Sequence, residues 1–363
     1  MYPYPDGLFA VRNGWYVAAF SDEVGRDLLE RWLLDEPVLL YRREDGIAVA
    51  VAGRCPHRQF PLSQGTLDGD TIRCGYHGIE FAADGRCLRI PTQDRVPPAF
   101  RLRTFPLVER WRWLWIWMGD PALADEALIP DHDAIELGGP DHSSVPMHHR
   151  LVNGRYQLLH DNLLDLSHLA YLHASKIGTE SVATTRDEVT TGPTWIRSRR
   201  EIRDSDPSPH VVGRYGDMRI DRLLDFTFYA PCLHVGLNRI APSAHDGVPD
   251  GLLQESIVYH AVTPATKTSC HYFFARTQKA PPDTDGQAAS ADYIAGVLDE
   301  DVFATVQIER MLSHGSEPRD LMTGGDVAVT KGRLMLQRMM MREREATRPD
   351  ARFTPTEEID VSE

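Results

Sequence analysis

Two stretches of this sequence hold side chains whose types and spacing could do chemistry. The first is residues 55–77, CPHRQFPLSQGTLDGDTIRCGYH, where Cys55-x-His57 is followed after sixteen residues by Cys74-x-x-His77. Each short loop offers one thiolate and one imidazole. A structural Cys2His2 zinc site also uses paired ligands, but it usually groups cysteine with cysteine and histidine with histidine. One of each per loop suits a [2Fe–2S] cluster with unequal irons, one held by Cys55 and Cys74 and the other by His57 and His77. Neutral imidazoles raise the potential relative to an all-thiolate cluster, so such a centre accepts and passes on one electron. Gly75 and Gly78 are expected to let the backbone approach the cluster and aim N–H groups at its sulfurs. Cys87, Cys232 and Cys270 have no partners at comparable spacing and read as buried, inert thiols.

The second stretch is residues 160–173, HDNLLDLSHLAYLH, with His168 and His173 five apart and Asn162 and Asp165 upstream. Neighbours five apart on a regular helix diverge by ~140°. The rings can meet only if the helix bulges or ends between them, and ASKIG after His173 suggests an end near that residue. A 2-His-1-carboxylate iron site needs one acidic partner. Residues 294–312 offer Asp299, Glu300 and Asp301. Asp301 shares a helical face with Val297, Leu298, Thr305 and Ile308, where an unpaired carboxylate would be costly. Asp299 also has apolar neighbours, so periodicity leaves the two aspartates open.

The elements that must position these groups can be read along the chain. Between Val38 and Leu107, short strand-like runs are separated by Asp45-Gly46, Asp68-Gly69 and Asp84-Gly85, the rhythm of a small antiparallel β domain. Trp111, Trp113, Trp115 and Trp117 alternate and are expected on one strand face, packed between domains or subunits. A Pro/Gly/Asp-rich stretch then marks a boundary near 120–130. Residues 157–173 lack Gly and Pro and read as helix. LLDFTFYAP, ESIVYHAVTP and TSCHYFFARTQ read as strands, and about 289–314 and 325–345 as helices. The expected class is α+β: a β domain over 1–125, a catalytic domain over 126–348 and a polar tail over 349–363. His132, His142, His148 and His149 fall in a loop-like stretch, and MMMREREATR reads as a solvated helix end.

Composition narrows the function classes. The 363 residues are 42% hydrophobic and carry 39 basic against 53 acidic side chains, a net charge of −14. An acidic chain argues against broad nucleic-acid backbone binding, and no run approaches the ~18 apolar residues of a membrane span. No basic region followed by an apolar run opens the sequence, and five cysteines do not make a disulfide framework, so a cytoplasmic protein is expected. No G-x-G-x-x-G opens a helix after a strand, so no dinucleotide site is expected.

The two constellations, in this order, resemble the Rieske non-heme iron oxygenases, together with NGWYVAAF, the WLWIWMGDP run, the N-x-x-D-x-x-H-x4-H motif and the C-terminal helix. The length and C-terminal half are similar to the aromatic monooxygenase branch that includes vanillate and dicamba O-demethylase oxygenases. The resemblance implies a β-sandwich Rieske domain and an α+β helix-grip catalytic domain with an antiparallel sheet. It implies a mononuclear Fe(II) on His168, His173 and Asp301, with Asn162 beside it as a weak or absent ligand. Asp165 would bridge His168 to His77 of a neighbouring subunit in a homotrimer. O2 is the implied co-substrate. Electrons would come from NAD(P)H only indirectly, through a separate reductase with or without a ferredoxin. The implied reaction is hydroxylation or O-demethylation of a small aromatic acid. Ring hydroxylation or cis-dihydroxylation is the alternative, and a Rieske electron carrier without oxygenase activity a remote one. Asn238 and His260 are polar residues in apolar strand sequence, and the resemblance matches them to substrate-carboxylate contacts, with His260 as a protonatable group. A tryptophan found in the dicamba-type helix before the iron carboxylate is absent here, where SADYIAG offers Tyr293.

Overall fold

The computed structural model describes residues 4, 7–131, 142–144, 147–243, 251–279, 284–314 and 320–346. His132 and the tail over 349–363 lie outside the described residues.

The N-terminal part forms three small antiparallel sheets. Their strands are Trp15–Phe20, Trp113–Trp117 and Leu107–Arg110; Leu29–Leu33, Glu36–Arg42 and Ala48–Ala52; and Thr66–Asp68, Thr71–Arg73, Glu80–Phe81 and Cys87–Arg89. The turns between them follow the Asp-Gly pairs, because Gly46, Gly69 and Gly85 take φ of +84°, +52° and +78°, angles that a side chain disfavours. Trp113, Trp115 and Trp117 are fully buried, and so are Leu114 and Ile116 between them, because this strand is covered on both faces. Trp111 departs from the expectation. With Arg112 it takes a positive φ and forms the two-residue turn that leads into the strand.

The C-terminal part is built on an eight-stranded antiparallel sheet. Its path runs His142–Ser144, Ser269–Lys279, Gln254–Thr266, Leu233–Pro242, Ile220–Tyr229, Trp195–Ser205 and Glu188–Thr191, with His148–Val152 also paired to Ser269–Lys279. His142, His148 and His149 therefore lie in strands rather than a loop. His149 stacks on Phe273 at 4.5 Å, which explains how a histidine-rich strand is tolerated there. The helices are α1 (Tyr156–Leu164), α2 (Glu180–Thr184), α3 (Pro209–Tyr215), α4 (Thr284–Leu312) and α5 (Val327–Ala346). Among the described residues, no helix is long and apolar enough to cross a membrane.

One hydrophobic core joins the two parts. Trp113, Trp115 and Trp117 pack in the same cluster as Tyr259, Ala261 and Phe273 of the large sheet. A second core lies under α1, α4 and α5. Part-buried ion pairs fix α1 within it. Arg155 at its start meets Glu309 of α4 at 2.6 Å, and Asp161 meets Arg333 of α5 at 2.6 Å. Gly154 allows the close approach, because a Cβ there would lie 2.8 Å from Thr305. Cys87, Cys232 and Cys270 are buried free thiols. The end of α5 is solvated along one side, with Arg342, Arg344, Glu345 and Ala346 exposed, and docked along the other. Met340 is buried, and the Glu343 carboxylate accepts the backbone N–H groups of Arg12 and Asn13 at 2.9 and 2.7 Å, so it docks the N-terminal segment.

Candidate active site

The two Rieske-type loops are near copies of one turn. Cys55 N–H donates to Phe60 O and Gln59 N–H to Cys55 O, at 2.9 Å each; Cys74 N–H donates to Ile79 O at 2.8 Å and Gly78 N–H to Cys74 O at 3.0 Å. The fourth residue after each cysteine takes a left-handed conformation, Gln59 at φ +59° and Gly78 at φ +65°. Gly75 serves packing of loop on loop, because a Cβ there would lie 2.5 Å from the Gln64 carbonyl. The cysteines are buried in their own core and the histidines exposed. His57 Nδ1 and His77 Nδ1 approach to 3.2 Å. Two buried sulfurs beneath two converging surface imidazoles fit the mixed ligand set of a [2Fe–2S] cluster and put its imidazole edge at the surface.

The second constellation owes its shape to the end of α1. The helix stops at Leu164, not near His173. Asp165 ends it by accepting Ser167 N–H and Ser167 Oγ–H, both at 2.9 Å, and so caps a 3-10 turn over Leu166–Ala170. The Asp-x-Ser spacing permits such a turn but does not by itself choose it over continued helix. The tighter turn and the bend after it bring the His168 and His173 rings to 5.2 Å. Their ligand atoms and those of Asp301 lie within 4.8 Å of one another. Asp299 instead faces outward and pairs with Arg150 at 3.1 Å.

The remaining nitrogens are already committed. His168 Nδ1–H donates to the Asp165 carbonyl at 2.5 Å, and His173 Nδ1–H to Glu300 Oε2 at 2.6 Å. Both Nε2 atoms are left facing Asp301 Oδ1, at 3.6 and 3.1 Å. Asn162 Nδ2 donates to the same oxygen at 2.8 Å. The link from Asp165 to His168 thus runs through its backbone carbonyl, where the resemblance implied the carboxylate. Burial alone would raise Asp301, but the His173 hydrogen bond, the two nearby imidazoles and Asn162 outweigh it and hold the carboxyl below its ordinary value. Burial lowers His168 despite Asp301. It opposes the rise of His173, but the hydrogen bonds to Asp301 and Glu300 prevail. Two oriented imidazoles and an ionised carboxylate in a buried recess fit a facial iron site.

Glu300, also paired with Lys176, fixes the His173 tautomer. Glu300→Gln should weaken iron retention by about 10- to 100-fold, the usual cost of losing such an outer partner. Iron content after dialysis against a chelator measures it, with the cluster's visible spectrum unchanged. Wild-type retention would remove Glu300 from this role.

A cavity of about 140 Å³ opens on His168, His173 and Asp301. Its walls are mostly apolar, including Leu224, Phe226, Val258 and Val297, and it also reaches Asn238, His260, Arg222, Arg276, Tyr293 and His210. Every wall residue from the sheet has an even number, 222 to 226, 238 to 240, 254 to 260 and 274 to 276, so one pleated face lines the cavity. Asn238 Oδ1 accepts Arg222 Nε–H at 3.0 Å. His260 Nδ1 meets the Tyr272 hydroxyl at 2.6 Å. Burial lowers His260 to about 4, so at neutral pH it is a neutral imidazole and not the protonated group expected for an anion. Sequence reading passed over Arg222 and Arg276. Their even positions in runs whose even residues are apolar were the available signal.

A [2Fe–2S] ligand set in a β domain and a His-His-Asp recess in an α+β domain define a two-centre redox enzyme. The comparisons with known proteins agree. The Rieske [2Fe-2S] domain matches residues 14–106, and the vanillate O-demethylase oxygenase C-terminal domain matches residues 152–342. The iron-sulfur subunit of the toluene-4-sulfonate monooxygenase system of Comamonas testosteroni is 34% identical over 93% of this chain and 99% of its own length. The oxygenase component of dicamba O-demethylase from Stenotrophomonas maltophilia is 35% identical over 83% of this chain and 88% of its own. The crystal structure of dicamba monooxygenase bound to 3,6-dichlorosalicylic acid superimposes with a TM-score of 0.84 at 32% identity, covering 94% of this chain and 100% of that one. The chain belongs to the Rieske non-heme iron oxygenases, in the vanillate O-demethylase branch. It is an oxygenase component whose cofactors are a [2Fe–2S] cluster and a mononuclear iron.

Proposed function

We propose that this chain is the terminal oxygenase of a multicomponent system that oxidises a methyl or methoxy carbon on a one-ring aromatic acid. The observation that carries this reading is the apolar cavity that opens on His168, His173 and Asp301 and also holds buried polar groups. Its volume of about 140 Å³ is close to that of a cavity known to admit one benzene, about 150 Å³. The substrates for which two relatives are named, toluene-4-sulfonate and dicamba, support the same class. When bound, the cluster supplies electrons singly and the iron supplies the chemistry of O2 reduction. His168, His173 and Asp301 hold the iron, and Asn162 and Glu300 hold these ligands in register. One oxygen atom goes into the substrate C–H bond. The other leaves as water, with two electrons and two protons consumed. A hydroxylated methoxy carbon then loses formaldehyde.

A separate reductase, with or without a ferredoxin, delivers the electrons to the exposed edge of His57 and His77. The same exposed edge suits delivery to a neighbouring copy. Asp165, beside His168, is the residue we assign to the bridge with the neighbour's cluster histidine in a head-to-tail trimer.

The test is turnover. The holoenzyme, with a Rieske-oxygenase reductase, NADH and O2, is offered 4-methoxybenzoate, toluene-4-sulfonate and unsubstituted benzoate. Hydroxymethyl product, or formaldehyde equal to O2 consumed, is expected from the substituted compounds. A cis-dihydrodiol from benzoate, or O2 uptake with no oxidised product from any acid, would overturn the reading.

A further inference from the structure

Buried arginines in this protein generally face a carboxylate. Arg31, 7% exposed, meets Glu23 at 2.7 Å, and Arg200, 3% exposed, faces Asp187 at 3.9 Å. Arg222 differs. It is 7% exposed and lines the cavity, yet its hydrogen bonds go to neutral acceptors, Asn238 Oδ1 and the Ile177 carbonyl, both at 3.0 Å. Among the described residues, no carboxylate pairs with it. Burial lowers its guanidinium only to about 10, so it stays a cation at neutral pH. A desolvated cation without a counter-charge is costly and awaits an anion.

Two further polar groups line the same cavity. Arg276, 8% exposed, lines the same cavity from another strand of the sheet. Tyr293 of α4 lies close enough to both guanidinium groups to feel their charge. Its ring stacks on His210 at 4.8 Å, and its buried hydroxyl has no hydrogen-bond partner. The neutral His260 and the partly committed Asn238 cannot by themselves balance a charged substrate.

We propose that Arg222, with Arg276 and the Tyr293 hydroxyl, forms the oxyanion pole of the pocket and selects aromatic carboxylates or sulfonates over neutral compounds of the same shape. The pole rests on the reading of this cavity as the substrate site. It shifts the main specificity contact away from His260. Asn238 becomes a positioning residue that holds Arg222 through its Nε. A guanidinium binds such an oxyanion through paired N–H donors, and the phenol adds a third donor from the facing helix.

The test is calorimetric titration of the holoenzyme, without reductase, with toluene-4-sulfonate, 4-methoxybenzoate and the neutral isostere 4-methylanisole. Wild type should bind at least one anion and prefer it to the neutral compound. Arg222→Gln should weaken anion binding by about 10- to 100-fold, the range for a lost charged hydrogen bond, with 4-methylanisole unaffected. Tyr293→Phe, which removes one oxygen atom and guards against misfolding of the arginine variant, should weaken it by about 3- to 10-fold. The ratio between the two anions tells sulfonate from carboxylate. Equal binding of 4-methylanisole, no binding of either anion, or anion affinities unchanged in both variants would overturn the proposal. Anion binding that depends on Arg222 without product formation would keep the pole and sink the oxygenation reading. Turnover of an acid with KM unchanged in both variants would do the reverse.

Discussion

Asp301→Ala is expected to abolish turnover, by about 10³-fold or more, while the reduced cluster keeps its EPR signal. Asp301 is the anionic member of the recess, 3% exposed, with both imidazole Nε2 atoms and the Asn162 amide directed at one of its oxygens. Alanine leaves two neutral imidazoles and no charge to hold a divalent ion, and with the ion goes the several kcal/mol that a metal contributes to such a reaction. The cluster ligands Cys55 and Cys74 sit in a separate core, His57 and His77 are exposed above it, and none of the four belongs to α4, so its spectrum should not change. Asp299→Ala is the control. That carboxylate is exposed on the same helix and pairs with Arg150, and its loss should leave activity near wild type. Retained activity in Asp301→Ala, or loss of the cluster signal with it, would sink the two-centre assignment. An inactive Asp299→Ala beside an active Asp301→Ala would move the ligand.

The second large effect is expected from Asp165→Asn, which should keep both metals and slow re-oxidation of the reduced cluster by about 10- to 100-fold in a single turnover. Asparagine caps a turn nearly as well as aspartate. The Ser167 N–H bond to the remaining side-chain oxygen should therefore survive, with Ser167 Oγ turning to accept from the new amide, and His168 should still donate to the unchanged backbone carbonyl of residue 165. What is lost is the negative charge available to an imidazole N–H at the edge of a neighbouring copy, a charge-assisted bridge in the assembly we propose. Stopped-flow absorbance of the cluster gives the rate, metal analysis the occupancy and light scattering the oligomer. A wild-type rate in the variant, or a fully active monomer at assay concentration, would remove Asp165 from the electron path.

Much of this molecule is legible in its amino-acid sequence alone. The Cys-x-His and Cys-x-x-His loops are local, and a ligand set carried on two short turns declares itself by residue type. The Asp-Gly turns and the alternating runs around Phe226, Tyr259 and Phe273 are likewise local, because a strand's two-residue period and a glycine's freedom at positive φ need few long-range contacts to be read. Three features needed the tertiary structure. Asp299 and Asp301 both have apolar neighbours along the chain. Only the packing of α4 on α1, set by Arg155–Glu309 and the Gly154–Thr305 approach, decides which carboxylate enters the recess. The end of α1 at Leu164 depends on Asp165 choosing Ser167 as its partner, a competition between helix and turn of about 1 kcal/mol that propensity alone does not resolve. The charge state of the pocket was decided the same way. A histidine in strand sequence can be a cation or a neutral ring, and an arginine can reach solvent or stay buried. Burial makes His260 neutral and leaves Arg222 charged among neutral acceptors, because desolvation removes a proton readily from an imidazole and hardly at all from a guanidinium.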